Sequence, residues 1–97
     1  MTYPILTVEI RFEQDIVLAR QRARQIAHLL GFDIQEQTRI ATAVSEVTRH
    51  AFQYAGKGKV EFIIEGQSSQ VFVTRIADSG EGIANLQTNS HHGMGLV

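Results

Sequence analysis

The apolar residues of this 97-residue chain change their repeat twice, and that change limits the fold more than any other feature. Leu6, Val8, Ile10 and Phe12 alternate with Thr7, Glu9 and Arg11, the period of a half-buried strand. From Glu13 to Leu30 the period lengthens. Ile16, Ala19, Ala23, Ile26, Ala27 and Leu30 recur at steps of three and four and make one helical stripe, while Arg20, Arg22, Arg24 and Gln25 lie mostly off it and are expected in solvent. Gly31 reads as a helix stop. Asp33, with Glu36 three residues on, reads as the start of a second helix and an Asp form of the capping box. That helix carries Ile40, Ala41, Val44, Val47, Ala51 and Ala55 on one face and ends near Gly56. The period of two then returns. Val60, Phe62 and Ile64 alternate with Glu61 and Glu65, residues 66–69 read as a hairpin loop, and Val71 to Ala77 reads as a third, more buried strand. Periodicity is lost from Asp78 onward.

Strand, helix, helix, strand, hairpin, strand predicts an α+β domain, a two-layer sandwich with both helices on one face of a mostly antiparallel sheet. Three strands make a small sheet. A fourth is expected to be missing, because the chain stops on Gly93-Met94-Gly95-Leu96-Val97, and the sequence reads as a domain shortened at its C-terminus. Residues 1–97 are enough for one domain, and 43% hydrophobic with 20% charged residues suits a globular chain. Nine Lys and Arg against ten Asp and Glu give a formal charge of −1, which argues against a dedicated nucleic-acid binder. No apolar run is long enough to span a membrane, and Met1-Thr2-Tyr3-Pro4 does not open a secretory signal. Without cysteine, neither a disulfide nor a thiolate metal site is available, which agrees with a reducing, cytoplasmic setting.

Three groups of residues could carry chemistry. Glu46, His50 and Tyr54, spaced by four on the second helix with Arg49 beside them, form one stripe next to the apolar face. By spacing alone the surface ion pair is the favoured reading, and two ligands on one helix are a weak metal signal without a third. The second group, Asp78-Ser79-Gly80-Glu81-Gly82, follows a strand. An Asp there can accept a hydrogen bond from an exocyclic amine such as that of adenine, and glycines let the backbone pass close to a flat ligand. The same residues also make ordinary turns. The third is Gly93-Met94-Gly95-Leu96, whose backbone N–H groups could wrap a phosphate, with His91 and His92 just before it. A flexible terminus and a solvated histidine pair are the alternatives there.

Taken in order, the three groups resemble the GHKL-type ATP-binding domain (the Bergerat-type fold) shared by histidine kinases, gyrase and the ninety-kilodalton chaperones. The finer likeness is to the anti-sigma factor and RsbT-like switch serine kinases of bacteria. It is carried by Ala19-Arg20-Gln21-Arg22-Ala23-Arg24, Leu30-Gly31-Phe32, Gln37 to Glu46 and Tyr54-Ala55-Gly56-Lys57-Gly58. The resemblance implies ATP and Mg2+ as cofactors and a serine/threonine-protein kinase that phosphorylates a partner regulatory protein. By the same resemblance, Glu46 is the catalytic carboxylate near the γ-phosphate and Tyr54 lies beside the adenine. Asp78 reads the adenine, Gly80 and Gly82 shape the pocket floor, and Gly93 and Gly95 close a lid over the phosphates. The implied partners are a STAS-type antagonist carrying the target serine and a sigma factor or phosphatase downstream, with a homodimer left open.

The chain departs from the pattern at His50, where the family places a magnesium-holding asparagine. Imidazole suits softer ions better than magnesium. That favours, as an alternative, a nucleotide- or protein-binding module of the same fold with weakened catalysis; a further alternative is the ATP-binding part of a histidine kinase. No phosphoacceptor helix pair lies in these residues to support the latter.

Overall fold

In a computed structural model the structure describes residues 4–66, 71–78 and 83–89, with Asp78 and the last of these segments placed by their backbone. The elements follow as β1 (Pro4–Ile10), α1 (Glu13–Leu29), α2 (Ile34–Ala55), β2 (Gly58–Glu65), β3 (Val71–Asp78) and β4 (Ile83–Asn89). The four strands form one antiparallel sheet in the order β1-β2-β3-β4. Both helices pack together over one face, α1 above β1 and α2 above β2, β3 and β4. The expected α+β sandwich is the observed one.

Two expectations are corrected. The sheet has a fourth strand, Ile83–Asn89, in the stretch read as aperiodic. It pairs with β3 from Val71↔Asn89 to Ala77↔Ile83. Its sequence, Ile-Ala-Asn-Leu-Gln-Thr-Asn, has too few apolar residues to alternate visibly, but backbone pairing needs no apolar side chain. At the other end β1 stops at Ile10, and Phe12 is 61% exposed instead of facing the core. Asp15 is the cause. Its Oδ2 accepts from the N–H groups of Arg11 and Phe12, each at 2.9 Å, and so starts α1 where the strand pattern would have run on. These two backbone hydrogen bonds also hold the Asp15 carboxyl below its ordinary pKa of 3.8.

The helix ends follow from local chemistry. At the end of α1, Gly31 adopts φ 90°, Phe32 N–H donates to Ala27 O and Gly31 N–H to His28 O, a Schellman pair that folds Phe32 back into the core at 4% exposure. Asp33 Oδ1 accepts from Glu36 N at 2.8 Å to start α2. The expected reciprocal half of that capping box is not formed: one Glu36 carboxylate oxygen is buried without a hydrogen-bond partner among the described residues. Gly56 ends α2 at φ 80°, donating to Phe52 O at 2.7 Å.

The core lies between the layers. Ile16, Ala19, Ala23, Ile26 and Ala27 of α1 meet Val8, Ile10, Val60, Phe62, Phe72 and Ile76 of the sheet, with Ile40 and Val44 of α2 alongside. The α1 stripe is the expected one. The α2 face differs, because Ser45 and Thr48 are buried along with Ile40, Ala41 and Val44, whereas Val47 and Ala51 are half-buried. On β3 the buried run Phe72, Val73, Thr74 includes side chains of both sheet faces, in keeping with the more buried strand expected there.

Candidate functional site

The α2 stripe is what the sequence led us to expect in position and exposure. Glu46 and His50 are exposed and one turn apart, and Tyr54 follows one turn later at 84% exposure. They lie on the solvent side of a helix whose other side holds Ile40, Ala41, Val44 and Thr48 in the core. Among the described residues, Glu46 and His50 make no hydrogen bond or ion pair. The surface ion pair that their spacing allowed is therefore not formed, and both groups are free to meet a ligand.

Sheet register ties the end of this stripe to Asp78. After Gly56 and Lys57 the chain enters β2 at Gly58, and Gly58 pairs with Asp78, the last residue of β3. Tyr54 is four residues before Gly58, so the C-terminal end of α2 and the end of β3 lie at one end of the sheet. Glu46 is farther along α2, about 12 Å from Tyr54 at 1.5 Å per residue. Gly80, Gly82, Gly93 and Gly95 lie outside the described residues. Of the groups singled out in the sequence, the structure therefore puts the Tyr54 end of the α2 stripe and the backbone position of Asp78 at the same end of the sheet.

The same end of the sheet carries a notch lined by Glu9, Ile10, Arg11, Lys57, Gly58, Lys59 and Ala77, with three cationic side chains to one carboxylate. Arg49, beside the stripe, lines a second notch with Glu13, Gln14, Ile16 and Val17 of α1, and thus belongs to the groove between the helices. Among the described residues no three His, Asp or Glu side chains gather to hold a metal ion. Any cation at His50 would need most of its ligands from a bound molecule and water.

Sequence reasoning missed Thr48. It is 1% exposed, and its Oγ1 has no hydrogen-bond partner among the described residues. The signal was present, since position 48 is four residues after Val44 and seven after Ala41, on the apolar stripe itself. A threonine does not count in an apolar tally.

With this geometry in place, comparison with known proteins adds one relationship. The chain is 41% identical over 81 residues to the serine/threonine-protein kinase RsbT of Bacillus subtilis (strain 168). The aligned region covers 82% of this chain and 61% of that protein, so the chain spans somewhat under two thirds of its relative's length. The relationship is RsbT-like. No protein-family model matches the sequence, and no solved structure matches the fold. No helix among the described residues is long and apolar enough to cross a membrane.

Proposed function

We propose that this chain is an ATP-binding serine/threonine-protein kinase domain of the RsbT-like, GHKL-type kind. It would act in a bacterial cytoplasm on a serine of a regulatory partner with a STAS-type fold. The observation that carries this reading is the α2 stripe and its tie to Asp78. A carboxylate, an imidazole and an aromatic ring stand in line on one exposed helix side, and register sets an aspartate at the aromatic end. The span of about 12 Å from Tyr54 to Glu46 suits an extended nucleoside triphosphate with its base near Asp78 and its terminal phosphate near Glu46. The 41% identity to a protein named as a serine/threonine kinase supports the same class.

The roles follow from the chemistry. Tyr54 offers an aromatic face to the base. Asp78 accepts from the exocyclic amine of adenine, and Gly80, Gly82, Gly93 and Gly95 enclose the ligand by their backbone. Glu46, exposed and without a partner among the described residues, accepts the proton of the attacking serine hydroxyl. The donor set does not fit the magnesium ion that goes with this family, because position 50 offers a nitrogen where magnesium prefers oxygen.

Calorimetric titration of the chain with ADP and ATP tests the reading, with Asp78→Asn as control. Asp78→Asn is expected to weaken ADP binding by about 1–3 kcal/mol, the scale of a hydrogen bond to a charged group. Equal ADP affinity in parent and variant refutes the adenine assignment.

A further inference from the structure

Arg11, Lys57 and Lys59 gather at one end of the sheet with little to answer their charge. β1 pairs with β2 through Glu9↔Lys59 and Ile10↔Gly58, so the register sets the exit of β1, with Arg11, beside the entry of β2, with Lys57 and Lys59. The three side chains line a notch of about 460 Å³ in which Glu9 is the single carboxylate. Among the described residues, the side chains of Arg11 and Lys57 make no hydrogen bond or ion pair, and Lys59 makes only a loose one with Glu61 at 4.0 Å. Asp15 feels the charge of Arg11, but its Oδ2 is taken by the backbone N–H groups of Arg11 and Phe12. Like charges held together repel, and an anion in the notch would relieve that cost.

Two features narrow the anion. Glu9 and Glu61 lie on the same sheet face as Lys59 and cut the positive patch short, which does not suit the long phosphate run of a nucleic acid. Phe12, directly after Arg11, is 61% exposed, an apolar surface that a small anion leaves uncovered and a protein segment can bury. We propose that this notch docks an acidic segment of a partner protein, whose carboxylates meet Arg11, Lys57 and Lys59 and whose neighbouring apolar side chain covers Phe12. The Arg11 guanidinium offers a planar fork to a carboxylate, and the two ammonium groups add point charges. Glu9 opposes the docked segment and limits its affinity. Lys59 alternates with Val60, which faces the helices, so Lys59 and Glu9 lie on the sheet face away from the α2 stripe. The inference is therefore independent of the nucleotide reading.

The test is an NMR titration of the full chain with two end-blocked peptides, Glu-Glu-Leu-Glu-Glu and its counterpart with Gln for every Glu, beside inorganic phosphate and a short DNA duplex. The acidic peptide is expected to shift the amides of residues 9–12 and 57–59, to bind at least about fivefold more tightly than the Gln peptide, and to weaken as salt is added. Arg11→Gln, Lys57→Gln and Phe12→Ala should each weaken it by about two- to fivefold, whereas Glu9→Gln should tighten it by a similar factor. All four positions are exposed, so the variants should fold, and their melting curves check this. Absence of binding, shifts centred on α1, equal binding of the Gln peptide, or a Glu9→Gln variant that binds no tighter overturns the proposal. Phosphate or duplex binding as tight as that of the acidic peptide also overturns it, since the notch would then be a general anion site. Displacement of the peptide by ADP does so too, because it would assign the notch to the nucleotide.

Discussion

Thr48→Val should make the protein more stable, although it changes a polar residue on the helix that carries the candidate site. Thr48 is 1% exposed, and its Oγ1 is buried with no hydrogen-bond partner among the described residues. A helical threonine ordinarily avoids this by donating to the carbonyl four residues back, which here is that of Val44. Burying an unpartnered hydroxyl costs about 1–3 kcal/mol. Valine keeps the β-branched shape and has nearly the same helix propensity. It replaces the hydroxyl by a methyl group, and burial of that group adds up to about 0.8 kcal/mol. The expected gain is about 1–3 kcal/mol, which in a domain of this size raises the melting temperature by roughly 4–8 °C per kcal/mol. Urea unfolding of parent, Thr48→Val and Thr48→Ser measures it. Thr48→Ser keeps the orphan hydroxyl and loses a buried methyl, so it should be less stable than the parent. A Thr48→Val protein less stable than the parent by more than about 0.5 kcal/mol would refute the reasoning, since it would mean that the hydroxyl is bonded in the folded protein.

Gly56→Ala should destabilise by about 1 kcal/mol, from backbone strain alone. Gly56 sits at φ 80°, while an added Cβ would meet nothing within 4 Å, so a loss well above that figure in urea unfolding would contradict a purely conformational cause. Asp15 gives a pH dependence of known sign. Its folded pKa is lowered, so its stabilising effect is complete above the ordinary value of 3.8 and is lost as pH falls through the lower folded value. Asp15 is largely solvated, so the effect should be small. The stability gap between parent and Asp15→Asn, present at pH 7, should narrow as pH falls below 3.8, and a gap that widens in acid would count against the assignment. Glu46→Gln should abolish phosphate transfer to a serine-bearing partner while leaving ADP affinity within a few fold, as judged by radiolabel transfer beside calorimetry. Full activity in that variant would remove Glu46 as the base.

The parts of the fold that were legible in the sequence are those where apolar side chains repeat. Five α1 positions, Ile16, Ala19, Ala23, Ile26 and Ala27, are the buried face of that helix because a stripe at steps of three and four must face the core. Both helix ends after Leu29 and Ala55 were legible too, since Gly31 and Gly56 supply the positive φ that the turns need. The misreadings share a cause. At Phe12, hydrogen bonds from Asp15 to two backbone N–H groups outweigh the apolar alternation. At β4, pairing with β3 holds a strand whose own side chains give no period. At Ser45 and Thr48, polar residues occupy core positions. Apolar counting sees neither backbone hydrogen bonds nor polar side chains placed at core positions. The common side of Glu46, His50 and Tyr54 was legible for a different reason: their spacing fixes it once the helix exists, while the placing of Tyr54 at the same sheet end as Asp78 depends on the Gly58↔Asp78 register.

This division of α2 into two sides has a consequence for reading any variant of the protein. The side with Ile40, Ala41, Val44 and Thr48 holds the layers together, and truncations there leave cavities that cost about 2–5 kcal/mol for a buried isoleucine. The side with Glu46, His50 and Tyr54 contributes little packing, and substitutions at exposed positions usually stay within about 0.5 kcal/mol. The proposed chemistry and the stability therefore fall on separate sides of one helix. A loss of nucleotide binding or phosphate transfer at position 46, 50 or 54 with an unchanged melting temperature reports on the site. The same loss at position 40 or 44, accompanied by a lower melting temperature, reports on the scaffold that presents it.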